Sequence, residues 1–118
     1  MELARTYHGV ALLWEHRFYD GSFPFALDNV TGVALDGYET YKYLNDEQAL
    51  QDVVYLATNF QPPGYEDGSL TASPTPWIVM GGSYPGARAG MIRARNLDVI
   101  FASWSSSGVV QAQDNYSD

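Results

Sequence analysis

The chain has 118 residues, 46% of them hydrophobic and 17% charged, the composition of a folded chain and the length of one small domain. Its net charge of -8 comes from 14 acidic against 6 basic side chains, with Lys42 the single lysine. That leaves no basic cluster for phosphate backbones or anionic lipid, so no nucleic acid and no membrane partner are expected. The absence of Cys and a complement of two His exclude disulfides, a thiolate zinc site, a Cys nucleophile and a His-rich metal site, so no cofactor or metal is expected.

No apolar run approaches the roughly 18 residues a membrane span needs. Met1-Glu2-Leu3-Ala4-Arg5 lacks the apolar stretch of a signal peptide. Two glycosylation sequons occur, Asn29-Val30-Thr31 and Asn115-Tyr116-Ser117, a weak pointer to secretion because such triplets are common.

In chain order, residues 2–8 read as the last turns of a helix, with Leu3, Ala4 and Tyr7 on one face and Gly9 as its stop. Val10-Ala11-Leu12-Leu13-Trp14 is a short continuous apolar run, the pattern of a strand buried on both faces. Residues 18–44 form a long loop rich in aromatics, Gly and Pro, with Phe23-Pro24-Phe25, Tyr38, Tyr41 and Tyr43. These rings fit packing or substrate contact equally well.

Asn45-Asp46-Glu47-Gln48 is a helix start: Asn45 can cap, Gln48 stands at the capping-box position and the acids suit the helix N-terminus. Leu50, Val53, Val54, Ala57 and Phe60 then make one apolar stripe, ended by Gln61-Pro62-Pro63-Gly64. Residues 61–76 are a polar, Pro-rich loop. Trp77-Ile78-Val79-Met80 reads as a second buried strand, followed by the tight turn Gly81-Gly82-Ser83-Tyr84-Pro85-Gly86 and a helix over 84–95. Ala87, Ala89, Gly90 and Ala94 would let that helix lie close to a sheet. Arg93 and Arg95 suit its C-terminal dipole and Asn96 its end. Val99-Ile100-Phe101-Ala102-Ser103-Trp104 reads as a third strand, running into Ser105-Ser106-Ser107-Gly108. Helices alternating with strands predict an α/β fold with a parallel sheet and right-handed crossovers.

A strand, a Gly-Gly-Ser turn and a helix together form the context of a nucleophile elbow. The turn lifts the Ser83 hydroxyl above the strand ends. It aims the Tyr84 backbone N–H at a developing oxyanion, and the tightness of the turn calls for small neighbours, hence Gly81, Gly82 and Gly86. The G-x-S-x-G pattern is imperfect, because Pro85 holds the last glycine position and Gly86 follows it. Pro is tolerated in a first helical turn, where its missing N–H is not needed. Taken alone, Gly-Gly-Ser also fits a plain strand-to-helix turn. A catalytic Ser needs a base oriented by a carboxylate. The two His, His8 and His16, both precede Ser83, and the carboxylates that follow are Asp98, Asp114 and Asp118. The α/β-hydrolase order of Ser, acid, His is therefore incomplete within the chain. His16, between Glu15 and Arg17, fits a structural hydrogen-bonding role.

Three ordered segments resemble the prolylcarboxypeptidase and dipeptidyl peptidase II family of serine peptidases. Trp14-Glu15-His16-Arg17-Phe18-Tyr19 with Gly21-Ser22 and Pro24 is similar to one family segment, although Asp20 stands where Gly is usual. Tyr43-Leu44 through Glu47-Gln48-Ala49-Leu50 and Asp52 is similar to its next helix. Gly81 to Ala89 is similar to its nucleophile segment in the fungal variant, and Ser103 to Val109 to the strand that follows.

The resemblance implies an α/β-hydrolase with an inserted helical domain, of which residues 1–118 would be a partial core of three strands and the intervening helices. It implies an acid-active exopeptidase cleaving peptides beside proline, in lysosomes, vacuoles or outside the cell, with dimerisation of full-length members. It assigns Ser83 as nucleophile, the Tyr84 N–H as oxyanion donor and Glu15, His16 and Arg17 as residues shaping the site. The triad Asp and His would lie beyond Asp118, and a second oxyanion donor before Met1. Another α/β-hydrolase, such as an esterase, and a catalytically inactive fragment or binding module both remain open. Three parallel strands alone would leave apolar sheet faces bare, so the isolated chain is expected to aggregate or need a partner.

Overall fold

The computed structural model describes residues 2–28, 30–32 and 37–112, which divide into two compact units, residues 1–44 and 45–118. The sequons' Asn29 and Asn115-Tyr116-Ser117, and the carboxylates Asp114 and Asp118, lie outside the described residues.

The first unit opens with helix α1 (Glu2–Thr6), and its stop differs from the expected one. His8 takes the left-handed conformation at φ 54°. The His8 N–H then reaches the Arg5 carbonyl at 3.4 Å and the Gly9 N–H reaches that of Ala4 at 2.8 Å. This is the paired bonding of a Schellman end, with His8 where glycine is usual and Gly9 one position beyond it.

Val10–Trp14, expected as a strand buried on both faces, belongs to no strand and is exposed throughout, with Leu13 97% accessible. A strand is a paired state, and among the described residues no edge pairs with this run. The long loop is more ordered than its composition suggests. It contains 3₁₀ turns at Asp20–Ser22 and Gly37–Tyr43, and its rings pack on one another. Phe18 lies 5.5 Å from Phe23 and 6.0 Å from Tyr41, and Phe25 lies 6.3 Å from Tyr43, spacings typical of favourable ring pairs.

The second unit builds the core. Helix α2 (Asp46–Asn59) starts at Asn45, whose side-chain oxygen accepts from the Gln48 N–H at 3.0 Å. Its expected stripe points inward: Leu50 and Ala57 are buried, with Val53 and Val54 packed beside them. Over residues 61–76 the chain returns along α2, where the Ala72 N–H donates to the Ala57 carbonyl at 2.7 Å. Trp77 is anchored by its indole N–H on the Leu70 carbonyl at 2.9 Å and by an edge contact with Phe60 at 5.8 Å.

Strand β1 (Trp77–Gly82), helix α3 (Tyr84–Arg95) and strand β2 (Ile100–Ser106) follow. The two strands pair in parallel, Met80 with Trp104 and Gly82 with Ser106, after a register shift between Trp77 and Ile78. This is a βαβ unit. Among the described residues the sheet has two strands where three are expected, since Val10–Trp14 forms no strand.

The strands are also less buried than their apolar runs suggest. Trp77 and Val79 pack with Ile92 and Ile100 in the core. On the other face Ile78 is 58%, Met80 52% and Trp104 59% exposed. A continuous apolar run encodes two covered faces, and the described residues cover one.

Candidate active site

β1 ends at Gly82, α3 begins at Tyr84, and Ser83 alone makes the corner. Its backbone sits at φ 59°, ψ -128°, a region sparsely populated by residues with a side chain and costing about 1–3 kcal/mol. Both sides of the corner are bonded. The Ser83 N–H donates to the Ser106 carbonyl at 3.0 Å, and its own carbonyl accepts from the Ala87 N–H at 3.1 Å. The side chain is exposed and makes no capping bond to α3. A strained corner that presents a free-standing hydroxyl at a helix N-terminus is the geometry of a nucleophile elbow.

The glycines divide by what a side chain would meet. At Gly81 a Cβ would lie 2.2 Å from the Pro85 carbonyl oxygen, and at Gly86 2.5 Å from that of Ser106. Both must be glycine for the turn to close. Pro85 therefore does not spoil the motif: its carbonyl presses on Gly81, and Gly86 supplies the second close approach one position later than the pattern places it. Gly82 differs from expectation, since a Cβ there meets nothing nearer than the Ser106 carbonyl at 3.9 Å. Its side-chain direction is outward, on the open face of the sheet, so tightness of the turn does not require it. Sequence reasoning missed Gly108, where a Cβ would fall 2.9 Å from Ser105 Oγ and 3.0 Å from the Ala87 nitrogen. The Ser-Ser-Ser-Gly run that ends β2 is its signal in the sequence.

The β2 end is part of the corner. Ser105 Oγ donates to the Gly86 carbonyl at 2.7 Å, and Ser107 holds a left-handed φ of 49°. On the α2 side, the Tyr84 hydroxyl donates to Asp46 Oδ1 at 2.6 Å. Arg88 is buried at 8% exposure. Its guanidinium lies over the Tyr84 ring at 5.7 Å and donates to the Ala49 carbonyl at 2.8 Å.

Glu15, His16 and Arg17 belong to the first unit. Ser22 Oγ donates to the Glu15 carboxylate, and Arg17 donates to the Tyr43 carbonyl at 2.8 Å. His16 Nδ1 lies 2.6 Å from the Arg17 carbonyl; since a carbonyl only accepts, Nδ1 carries the proton. The three side chains brace a turn in which Asp20 has φ 40°, the left-handed conformation that explains why Gly is usual there in the resembled segment. Among the described residues no three His, Asp or Glu side chains converge as metal ligands, and residues 45–118 contain no His.

The model of one family, serine carboxypeptidase S28, matches residues 1–118. The chain belongs to the S28 family of serine peptidases. As an S28 chain it is part of an α/β-hydrolase fold, and β1–Ser83–α3–β2 is the stretch of that fold described above. It is 36% identical over 115 residues to a probable extracellular serine carboxypeptidase of Arthroderma benhamiae, covering 98% of this chain and 15% of that protein. It is 32% identical over 120 residues to the thymus-specific serine protease of Homo sapiens, covering 98% and 20%. Against the serine protease vicPa of Bipolaris victoriae the figures are 28% over 114 residues, 97% and 20%. The S28 chain thus spans between 15% and 22% of the length of the curated relatives it matches. No solved structure matches it.

Proposed function

We propose that Ser83 is the nucleophile of a serine peptidase and that the Tyr84 backbone N–H is one donor to its oxyanion. The observation that carries this reading is the corner itself. A serine held at φ 59°, ψ -128° between a parallel strand and a helix, with two glycines that tolerate no side chain, is strained in a way a plain turn does not need.

In this reaction Ser83 Oγ attacks the carbonyl carbon of the scissile peptide, and its proton passes to a general base. Residues 45–118 contain no His, so an imidazole base would come from elsewhere in the protein. The negative charge on the former carbonyl oxygen accepts from the Tyr84 N–H. The C–N bond then breaks, the amine leaves with the proton, and water hydrolyses the Ser83 ester to free the acid and restore the hydroxyl. Gly81 and Gly86 let the turn close, and the likeness to the family gives Gly82, Glu15, His16 and Arg17 a site-shaping role.

The finer reading is an exopeptidase acting beside proline, from the carboxyl or amino end, in an acidic or extracellular compartment. It is supported by the likeness of the Glu15–Pro24 and Gly81–Ala89 segments to prolylcarboxypeptidases and by the extracellular carboxypeptidase among the relatives. The test is a panel of prolyl and non-prolyl peptides and simple esters, run with the wild-type protein and Ser83→Ala. Prolyl-peptide turnover abolished by Ser83→Ala is expected. Ester turnover without peptide turnover would mean an esterase. Peptide turnover unaffected by Ser83→Ala would overturn the nucleophile assignment.

A further inference from the structure

The Ser83–Tyr84 peptide plane carries both groups that matter at the corner: the Ser83 carbonyl and the Tyr84 N–H. A strained corner can relax by rotating this plane, which would turn the N–H away from an oxyanion. On one side the plane is held by the Ala87 N–H on the Ser83 carbonyl at 3.1 Å. On the other, Tyr84 is gripped through its side chain. Its hydroxyl donates to Asp46 Oδ1 at 2.6 Å, and the Arg88 guanidinium lies 5.7 Å from its ring centre. Asp46 is the first residue of α2, and Arg88 reaches the same turn of that helix through the Ala49 carbonyl at 2.8 Å.

Arg88 is an expensive way to pack this helix. It is only 8% exposed, its Nε has no hydrogen-bond partner among the described residues, and the acceptor of its terminal N–H is a neutral carbonyl. A buried cation held this way is disfavoured relative to an apolar side chain of similar size, and its neighbours Ala87 and Ala89 show what plain packing uses here. What Arg88 supplies and a Met or Leu could not is a cation against the Tyr84 ring with a fixed anchor on α2.

Building on the assignment of Ser83 and Tyr84 above, we infer that Asp46 and Arg88 are positioning residues, clamping the Tyr84 side chain to the first turn of α2 so that the Tyr84 N–H stays aimed at the oxyanion. Neither touches substrate. Both act through Tyr84, and their effect falls on the transition state, where the oxyanion exists, and not on substrate binding.

The test uses the intact peptidase and the variants Tyr84→Phe, Asp46→Ala, Asp46→Asn, Arg88→Met and the double variant Tyr84→Phe/Asp46→Ala. Tyr84→Phe, Asp46→Ala and Arg88→Met are expected to lower kcat about tenfold with KM unchanged. A peptidyl boronate, which mimics the tetrahedral state, should weaken by the same factor while product inhibition does not move. Asp46→Asn keeps the acceptor oxygen and should restore kcat, and the double variant should be no worse than either single one, because both remove one contact.

The clamp is overturned if Tyr84→Phe, the mildest change, leaves kcat within about twofold of wild type. It is equally overturned if losses are additive and track KM and melting temperature, or if Asp46→Asn is as poor as Asp46→Ala. Ser83→Ala separates the layers. An inactive Ser83→Ala beside wild-type clamp variants removes the clamp alone, and an active Ser83→Ala removes the nucleophile reading and the clamp with it.

Discussion

Among the described residues, five that bear a side chain hold a left-handed φ: His8, Phe18, Asp20, Ser83 and Ser107. At Ser83 the strain can be measured separately from the chemistry. Ser83→Ala removes the hydroxyl and keeps the Cβ, whereas Ser83→Gly removes both. Both should be inactive, but Ser83→Gly should melt higher than Ser83→Ala, by about 1 kcal/mol or more of stability. Equal melting would mean that the corner is relaxed. At Asp20, where φ is 40°, Asp20→Gly should be neutral to stabilising by up to about 1 kcal/mol in denaturant titration. The serine was legible in the sequence through its glycines. The conformations of His8, Asp20 and Ser107 were not, because a positive φ leaves a sequence mark only when glycine fills it.

Among the elements, the helices were the most legible. Asn45 caps α2 as its side-chain chemistry dictates, and the apolar stripe of α2 meets Ile92 and Ile100. The elbow glycines were legible as a group and not one by one, since the close contacts depend on where the Pro85 and Ser106 carbonyls arrive. Two variants separate them. Gly81→Ala should cost at least about 2 kcal/mol, since nothing but backbone is there to yield. Gly82→Ala should be tolerated, because its Cβ would meet only ordinary contact. Thermal melting of the two checks both.

The turn after Asp28 carries a pH dependence. The Thr31 N–H, the Thr31 hydroxyl and the Val30 N–H, in that order of weight, hold the Asp28 carboxyl below its usual range. The folded pKa being depressed, the bonds contribute fully above the ordinary aspartate range and are lost as the pH falls through it to the folded value. Hydrogen exchange at Val30 and Thr31 should therefore speed up only at strongly acid pH, and Asp28→Asn should flatten that dependence.

On the scale of the whole molecule, the largest gap between sequence and structure has one cause. Val10–Trp14, Trp77–Met80 and the residues of β2 have the composition of strands covered on both faces. Burial is a property of the surroundings, and the described residues cover β1 and β2 on one side only. Ile78, Met80 and Trp104 stay open on the other. An apolar face of this kind does not stay in water unaided. Residues 1–118 expressed alone should therefore elute as aggregates or bind a hydrophobic dye, and Ile78→Thr with Trp104→Thr should reduce both. A monodisperse, cooperatively melting chain would contradict this.

The peptidase reading rests on one hydroxyl, so the most direct measurement is fluorophosphonate labelling of the native protein followed by mapping of the modified peptide. Label on Ser83, blocked by a peptide substrate and lost in Ser83→Ala, is the expected result. A protein that turns over peptides but carries the label on another serine, or carries none, would contradict the assignment of Ser83 as the nucleophile.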